Sequence, residues 1–214
     1  MNRKKVMVTM LAALAATSAW SDVSVMAEGT SYVEKGSAVG DVAVAVGTKS
    51  EASGGGTIAI GRAQATSGNA VAIGTDATAS GSNSMALGQK ATSKNTNSIA
   101  MGVGATSEGY SSTSLGEGST AKGQDSMALG RGSYTDYWGS VAIGSGARAD
   151  KANSVALGAN SSTTEEYTVS VGNATMKRRI VNVDAGRNDN DVVIKKQVFG
   201  KATAAGNNTN FGAG

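Results

Sequence analysis

A short apolar tetrad that ends in glycine recurs ten times along this chain of 214 residues. In most copies two large apolar residues flank a small one, as in Val71-Ala72-Ile73-Gly74. The spacing is 14 residues, with one interval of 13, between the tetrad glycines Gly47, Gly61, Gly74, Gly88, Gly102, Gly116, Gly130, Gly144, Gly158 and Gly172. A regular period this short predicts a stack of small identical units.

The residue types within each period favour β structure. Fourteen residues are too few for two packed helices, and the abundant Thr, Ser, Val, Ile and Gly disfavour helix. Strand alternation places Val71 and Ile73 on one face and Ala72 on the other. A second, weaker strand follows each tetrad, with alternate alanines such as Ala77 and Ala79. We therefore predict an all-β solenoid with two short strands in each coil.

A turn residue precedes many of the tetrads at the same place in the period. Its type, asparagine or aspartate, tolerates left-handed backbone and forms local hydrogen bonds. These residues predict one corner of each coil, and they are Asn69, Asn83, Asn97, Asp125 and Asn153.

The alternation also suggests which face of each tetrad strand points inward. Large apolar residues of a solenoid fill its interior by default, so we expect Val and Ile to form the core. The alternate small residues would then lie on the outer face, where they would let another chain approach closely. The predicted self-association surface consists of Ala72, Ala86, Ala100, Ala128, Ala142 and Ala156.

Composition argues against catalysis and against a disulfide framework. The chain has 30 glycines but no proline, cysteine or histidine, so the commonest general base and metal ligand are missing. Acidic residues do not cluster at one phase of the repeat. We predict no enzyme activity, no metal and no cofactor. Only 4 % of residues are aromatic, so stability must come from repetition or association.

The N-terminal residues have the pattern of a secretory signal peptide. Arg3, Lys4 and Lys5 precede an apolar run, and small residues allow cleavage after Ala19 or Ala27. The run is shorter than the roughly 20 residues that span a bilayer, so we expect export without a membrane span. Cleavage would also remove much of the positive charge and leave a slightly acidic body, which argues against nucleic-acid binding.

Two parts of the chain, the repeats and the stretch that follows them, resemble a known family. In the repeats, Asn83-Ser84-Met85-Ala86-Leu87-Gly88 and the equivalent residues Asn153–Gly158 resemble the head repeats of trimeric autotransporter adhesins of the YadA type. The resemblance covers about 42–172. It implies a left-handed parallel β-roll, a homotrimer, and adhesion to extracellular-matrix or host-surface macromolecules at the bacterial outer surface.

The stretch that follows the repeats, Arg178–Gly186 with its continuation to Val198, resembles the neck of that family. The expected organisation is a signal peptide at 1–27, a lead-in at 28–41, head repeats at 42–176, a neck at 177–198 and a flexible Gly/Asn-rich tail at 199–214. The resemblance implies polar neck contacts by Arg178, Arg179, Asn182 and Asp191, and an apolar interior of Ile180, Val181, Val183 and Val193.

Two alternatives concern the end of the chain. The neck stretch could instead be a terminal β-hairpin cap. No long heptad stalk or membrane-spanning barrel strands follow Gln197, which leaves three ways of anchoring open. The chain is a truncated or split product, the trimer is released, or another chain holds it at the surface.

Aromatic residues indicate a candidate ligand site. Tyr110 and Trp138 share one phase of the repeat, and Tyr134 and Tyr137 are close to the second of them in sequence. Exposed aromatic side chains are favoured interface anchors. The alternative is that these rings only cover a loosened coil edge. A non-adhesive spacer also remains open as a function.

An ice-binding solenoid is the less favoured third function, because it requires the same residue in coil after coil. Eight positions after the tetrad glycine the residues vary, which suits a protein that binds large partners. This row contains Ser82, Thr96, Tyr110, Gln124, Trp138, Ala152 and Glu166.

Overall fold

The computed structural model describes residues 37–39, 42–195 and 197. The chain divides into two compact units, the first ending at Met176 and the second beginning at Lys177. The expected signal peptide, most of the expected lead-in and the expected tail lie outside the described residues.

The first unit is a parallel β-solenoid. The repeat predicts the solenoid, and the resemblance implies its parallel arrangement. Its described residues form nineteen short strands in two parallel sheets, and each full coil gives one strand to each sheet. The tetrad sheet contains β2 (Val44–Val46), β4 (Ile58–Ile60), β6 (Val71–Ile73), β8 (Met85–Leu87), β10 (Ile99–Met101), β12 (Thr113–Leu115), β14 (Met127–Leu129), β16 (Val141–Ile143), β18 (Val155–Leu157) and β19 (Val169–Ser170).

The second sheet contains the weaker strands of the coils. Its members are β1 (Ser37–Ala38), β3 (Glu51–Ala52), β5 (Gln64–Ala65), β7 (Thr78–Ala79), β9 (Thr92–Ser93), β11 (Thr106–Ser107), β13 (Thr120–Ala121), β15 (Tyr134–Thr135) and β17 (Arg148–Ala149).

Equivalent residues of successive coils pair in register. Ala86 pairs with Ala100, and Ala100 with Ser114, so each phase of the repeat becomes a row along the stack. The shorter coil keeps this register, because Ala59 pairs with Ala72 and Ala65 with Ala79. The missing residue is therefore absorbed at the corner between the two sheets.

The coil interior holds only small residues, which corrects the expected orientation of the tetrad strands. The Val, Ile, Leu and Met residues point outward, and fully buried within one chain are Ala72, Ala86, Ala100, Ala128, Ala142 and Ala156. These alanines cannot form a self-association surface, and that prediction was wrong. Strands of two or three residues joined by tight corners enclose a space that is only one small side chain deep on each sheet.

Serine and threonine hydroxyls form hydrogen bonds within this interior. The Oγ atoms of Ser107 and Ser112 lie 2.6 Å apart, and those of Ser114 and Ser119 lie 2.7 Å apart. Each pair connects the two sheets within one coil and satisfies polar groups that burial would otherwise penalise. The Ser84 Oγ is buried but has no hydrogen-bond partner.

The predicted corners are confirmed. The five predicted turn residues adopt left-handed backbone, with φ between 50° and 57°. Neighbouring coils are also linked by side-chain amides, since the Asn69 Nδ2 donates to the Asn83 Oδ1 at 3.0 Å and the Asn83 Nδ2 to the Asn97 Oδ1 at 3.2 Å. The glycine that ends each tetrad is required for a different reason, as Gly116 shows. Gly116 has φ +138°, and an added Cβ would lie 2.6 Å from backbone atoms of Gly130.

The second unit contains no assigned strand among residues 177–195, so the described part gives no support for a hairpin cap. Hydrogen bonds from the backbone N–H groups of Arg187 and Asn188 hold the pKa of the Asp191 carboxyl below its ordinary value. The Gln197 carboxamide accepts from the Gly186 N–H at 2.9 Å and donates to the Gly186 carbonyl at 2.8 Å. The roles predicted for the other neck residues stay predictions.

Candidate functional site

An apolar stripe runs along the outer face of the tetrad sheet. It consists of the two outward residues of each tetrad strand, and from β2 to β18 only Thr113 interrupts the apolar series. Its more exposed members are Val44, Val46, Ile60, Ile73, Met101, Leu115, Met127, Leu129 and Leu157. A continuous apolar surface of this extent marks an interaction site rather than ordinary surface variation.

Three of the four predicted ligand-site aromatics lie together. Tyr110, Tyr137 and Trp138 are exposed at the corner that follows each strand of the second sheet, here called the aromatic corner. Tyr110 and Trp138 occupy equivalent positions two coils apart, with exposed Gln124 between them. Two strand spacings separate these positions by about 10 Å. The rings therefore form a row parallel to the stack.

The fourth predicted aromatic, Tyr134, lies elsewhere. It is on β15 in the outer face of the second sheet, with the Lys122 Nζ 5.3 Å and the Arg148 Cζ 4.4 Å from its ring centroid. A hydrogen bond with the Tyr134 side chain raises the pKa of Lys122. Tyr134 thus orders two cationic side chains on its sheet through cation–π contacts, and it is only half-buried.

Sequence reasoning missed a regular row on the second sheet. Four positions after the tetrad glycine, the outward residues of four successive coils are Thr78, Thr92, Thr106 and Thr120. The row considered for ice binding lies at another phase of the repeat, eight positions after the tetrad glycine. Two residues further along the chain are Ser80, Lys94, Glu108 and Lys122, with an ion pair between Lys94 and Glu108. A single Thr row beside these varied charges does not form a wide regular surface.

The described residues contain no group of three or more histidine, cysteine, aspartate or glutamate side chains that could hold a metal ion. Within this part of the chain there is also no helix with the length and hydropathy needed to cross a membrane. The site is therefore described best by its surfaces, the apolar stripe and the aromatic corner.

Comparison with known proteins agrees with this description. The family described as the YadA head domain repeat matches more than half of the chain, at residues 38–63, 65–91, 79–105, 93–116, 107–133, 139–161 and 150–174. The crystal structure of the collagen-binding domain of the Yersinia adhesin YadA is similar, with a TM-score of 0.61 and 29% sequence identity over 77% of this chain and 85% of that chain. No curated protein sequence matches the chain significantly.

Proposed function

The chain belongs to the family of YadA head domain repeats, and on that premise we propose that it is an adhesin head that binds an extracellular-matrix macromolecule. The observation that carries the proposal is the shared solenoid, since the similar solved structure is a collagen-binding domain. A fold without a metal or acid cluster in its described part suits binding rather than catalysis. Such a head acts outside the cell, which agrees with the signal peptide expected at 1–27.

Three copies assemble through the apolar stripe in this proposal. A threefold axis parallel to the stack brings the three stripes together and places identical coils at the same height. Burying apolar side chains contributes about 25 cal/mol for each Å² removed from water. The proposed interface therefore consists of the large tetrad residues, such as Met101, Leu115 and Leu129, in place of the buried alanines.

The aromatic corner is the proposed ligand contact. Tyr110, Tyr137 and Trp138 keep about half of their surface exposed in the single chain, and large aromatic side chains bury much area at low entropic cost. On the second sheet, Tyr134 and the Arg148 guanidinium over its ring would add a positively charged contact. Three copies of a weak contact multiply through avidity when the ligand is long enough to reach more than one.

The second unit is proposed to be a neck that needs all three chains. Ile180, Val181 and Val193 are exposed by 60% or more in the single chain, which suits an apolar interior contributed by several copies. Arg178, Arg179, Asn182 and Asp191 would form its polar contacts, and Val183 would complete the interior. The neck would hold the three heads together.

Adhesion to immobilised matrix proteins tests this function. Collagen, laminin and fibronectin surfaces would be probed with the wild-type chain and with the double variant Tyr110→Ala/Trp138→Ala. Thr78→Ala/Thr92→Ala, on the second sheet, serves as the control. We expect the aromatic variant to lose at least tenfold in adhesion to whichever protein the wild type holds. A wild-type chain that binds none of these surfaces would favour the spacer function instead.

A further inference from the structure

The second sheet ends earlier along the chain than the tetrad sheet. Its last strand is β17 (Arg148–Ala149), whereas the tetrad sheet continues to β19 (Val169–Ser170). Between β18 and β19 the chain contributes only an isolated bridge to the second sheet, in which Ser162 pairs with Arg148. The backbone groups at this end of the second sheet must therefore find partners without a further strand.

In the complete coils one backbone hydrogen bond repeats along the second sheet. The N–H four residues after a tetrad glycine donates to the carbonyl three residues after the next tetrad glycine, as from Thr92 to Ala105 at 2.8 Å. Ser162 has the donor position in the last coil, and Thr175 has the acceptor position. The Ser162 N–H donates instead to the Gly172 carbonyl at 2.8 Å. The chain thus reaches the end of the second sheet three residues early.

The Asn173 carboxamide holds the turn that follows Gly172. Its Oδ1 accepts from the backbone N–H groups of Thr175 and Met176 at 3.0 and 2.8 Å. Its Nδ2 donates to the Asn160 carbonyl of the preceding coil at 2.8 Å. One side chain therefore forms the turn and also ties the turn to the coil before it. We call residues 172–176 the strap.

The strap occupies backbone groups that a bare sheet edge would leave open. An edge of a sheet presents unpaired N–H and C=O groups, which are a template for a strand of another chain. At this edge the strap takes the Ser162 N–H and the Asn160 carbonyl. No strand is assigned to residues 172–176 themselves. The strap thus ends the second sheet in the way that the terminal units of repeat proteins close a stack.

The opposite end of the second sheet matches the edge that the strap covers. Among the described strands, β1 (Ser37–Ala38) pairs only with β3. The in-register pairing gives Ser37 and Ser162 the same position in the repeat. One stack could therefore continue into a second copy in the same strand direction and register. A continuing copy must pair with both sheets of the last coil, so closing one sheet is enough to prevent it.

We propose that the strap keeps heads from joining end to end, and that the Asn173 Nδ2 holds it closed. When the strap is released, the edge at Ser162 accepts β1 of a second copy, and the solenoid continues from one head into the next. Val169 in β19 is 67% exposed, so the tetrad sheet presents an apolar edge strand at the same end. The strap is then the element that decides whether this end of the solenoid stays closed.

A near-isosteric substitution tests the strap. Asn173→Asp keeps an oxygen that accepts from Thr175 and Met176, but it replaces the donor to the Asn160 carbonyl with a second acceptor. Asn153→Asp is the matched control, because it adds the same charge at a corner where Asp125 has the equivalent position in another coil. Both variants are made in the full exported chain. Hydrogen exchange resolved to single amides reports on Ser162, with Thr92 as the reference for an intact coil.

We expect the Ser162 amide to exchange at least tenfold faster in Asn173→Asp than in the wild type, with Thr92 unchanged. At micromolar concentration this variant should form rods of several head lengths in electron micrographs, while the wild type and Asn153→Asp stay unjoined.

Unchanged exchange at Ser162 would show that the carboxamide does not hold the strap. Faster exchange without rods, or equal rods in Asn153→Asp, would overturn the role of the strap in keeping heads apart. Both measurements are made without a ligand, so a chain that adheres to no matrix protein would contradict the proposed function and leave this result standing.

Discussion

The Ser93 and Ser98 hydroxyl oxygens lie 2.6 Å apart inside one coil, where they join β9 to the start of β10. Both side chains are fully buried, and the Ser98 Oγ also donates to the Asn95 carbonyl. The interior of the described coils is thus narrow and filled by small side chains, some of which are joined by hydrogen bonds. The larger apolar residues remain outside, where they become available for association.

Removing one hydroxyl of this pair should be costly, whereas removing an unpaired one should not. Ser98→Ala deletes two hydrogen bonds and should lower the free energy of unfolding by about 1 to 2 kcal/mol. Ser84→Ala removes a buried oxygen that has no partner, so stability should stay level or rise. Denaturant unfolding of both variants beside the wild type measures the difference. Equal losses would contradict the hydrogen-bonded interior.

Enlarging an interior alanine should disrupt the coil itself. Ala100→Leu adds three carbon atoms where β10 has no free volume, and overpacking costs about 1 to 3 kcal/mol or more. The neighbouring change Met101→Leu conserves volume on the outer face and should cost less. Circular dichroism melting of the two variants decides between them. A well-folded Ala100→Leu chain with an unchanged melting temperature would return the alanines to the outer surface.

Substitution of Gly116 should destabilise the fold, whereas substitution of Gly118 should leave its stability almost unchanged. Gly116→Ala places a Cβ 2.6 Å from the backbone of the next coil at φ +138°, so it should cost about 3 kcal/mol or more. Gly118→Asn meets open space at φ +60°, where Asn160 already occupies the equivalent position, and should leave the melting temperature within a few degrees. Similar melting of the two variants would be inconsistent with the described corners.

Charge on the apolar stripe should prevent association. Leu115→Lys/Leu129→Lys buries two cations in each copy of the proposed interface and should weaken assembly by at least a hundredfold, since an unpaired buried charge costs several kcal/mol. Thr106→Lys/Thr120→Lys adds equal charge to the second sheet, where Arg148 is tolerated in the same row, and should leave assembly intact. Sedimentation velocity over a concentration series distinguishes the two. Unaltered trimers of the leucine variant would place the interface elsewhere.

The repeat alone was enough to predict the solenoid, the two strands in each coil and the corners with left-handed backbone at residues such as Asn83, whereas the parallel β-roll was implied by the resemblance to a known family. The inward face of β6 was not predictable from it. Alternation shows that Val71 and Ile73 share a face but not which face is inside, because that depends on the width of the channel. The usual preference of large apolar residues for the interior gave the wrong choice here, since only Ala, Ser and Thr fit.

The candidate site was predicted in part. Shared phase brought Tyr110 and Trp138 together because register is kept from coil to coil. Tyr134 separates from them because it is three residues before the corner and therefore on the second sheet, against Arg148 of the next coil.

Native mass spectrometry of the exported chain at micromolar concentration tests most directly whether the head works as an assembly joined by its apolar stripe. A single dominant species of three chains is the predicted result, with no folded monomer at equilibrium. A stable monomer that retains its β-sheet circular dichroism spectrum would contradict the account, because the stripe would then face water in the functional protein.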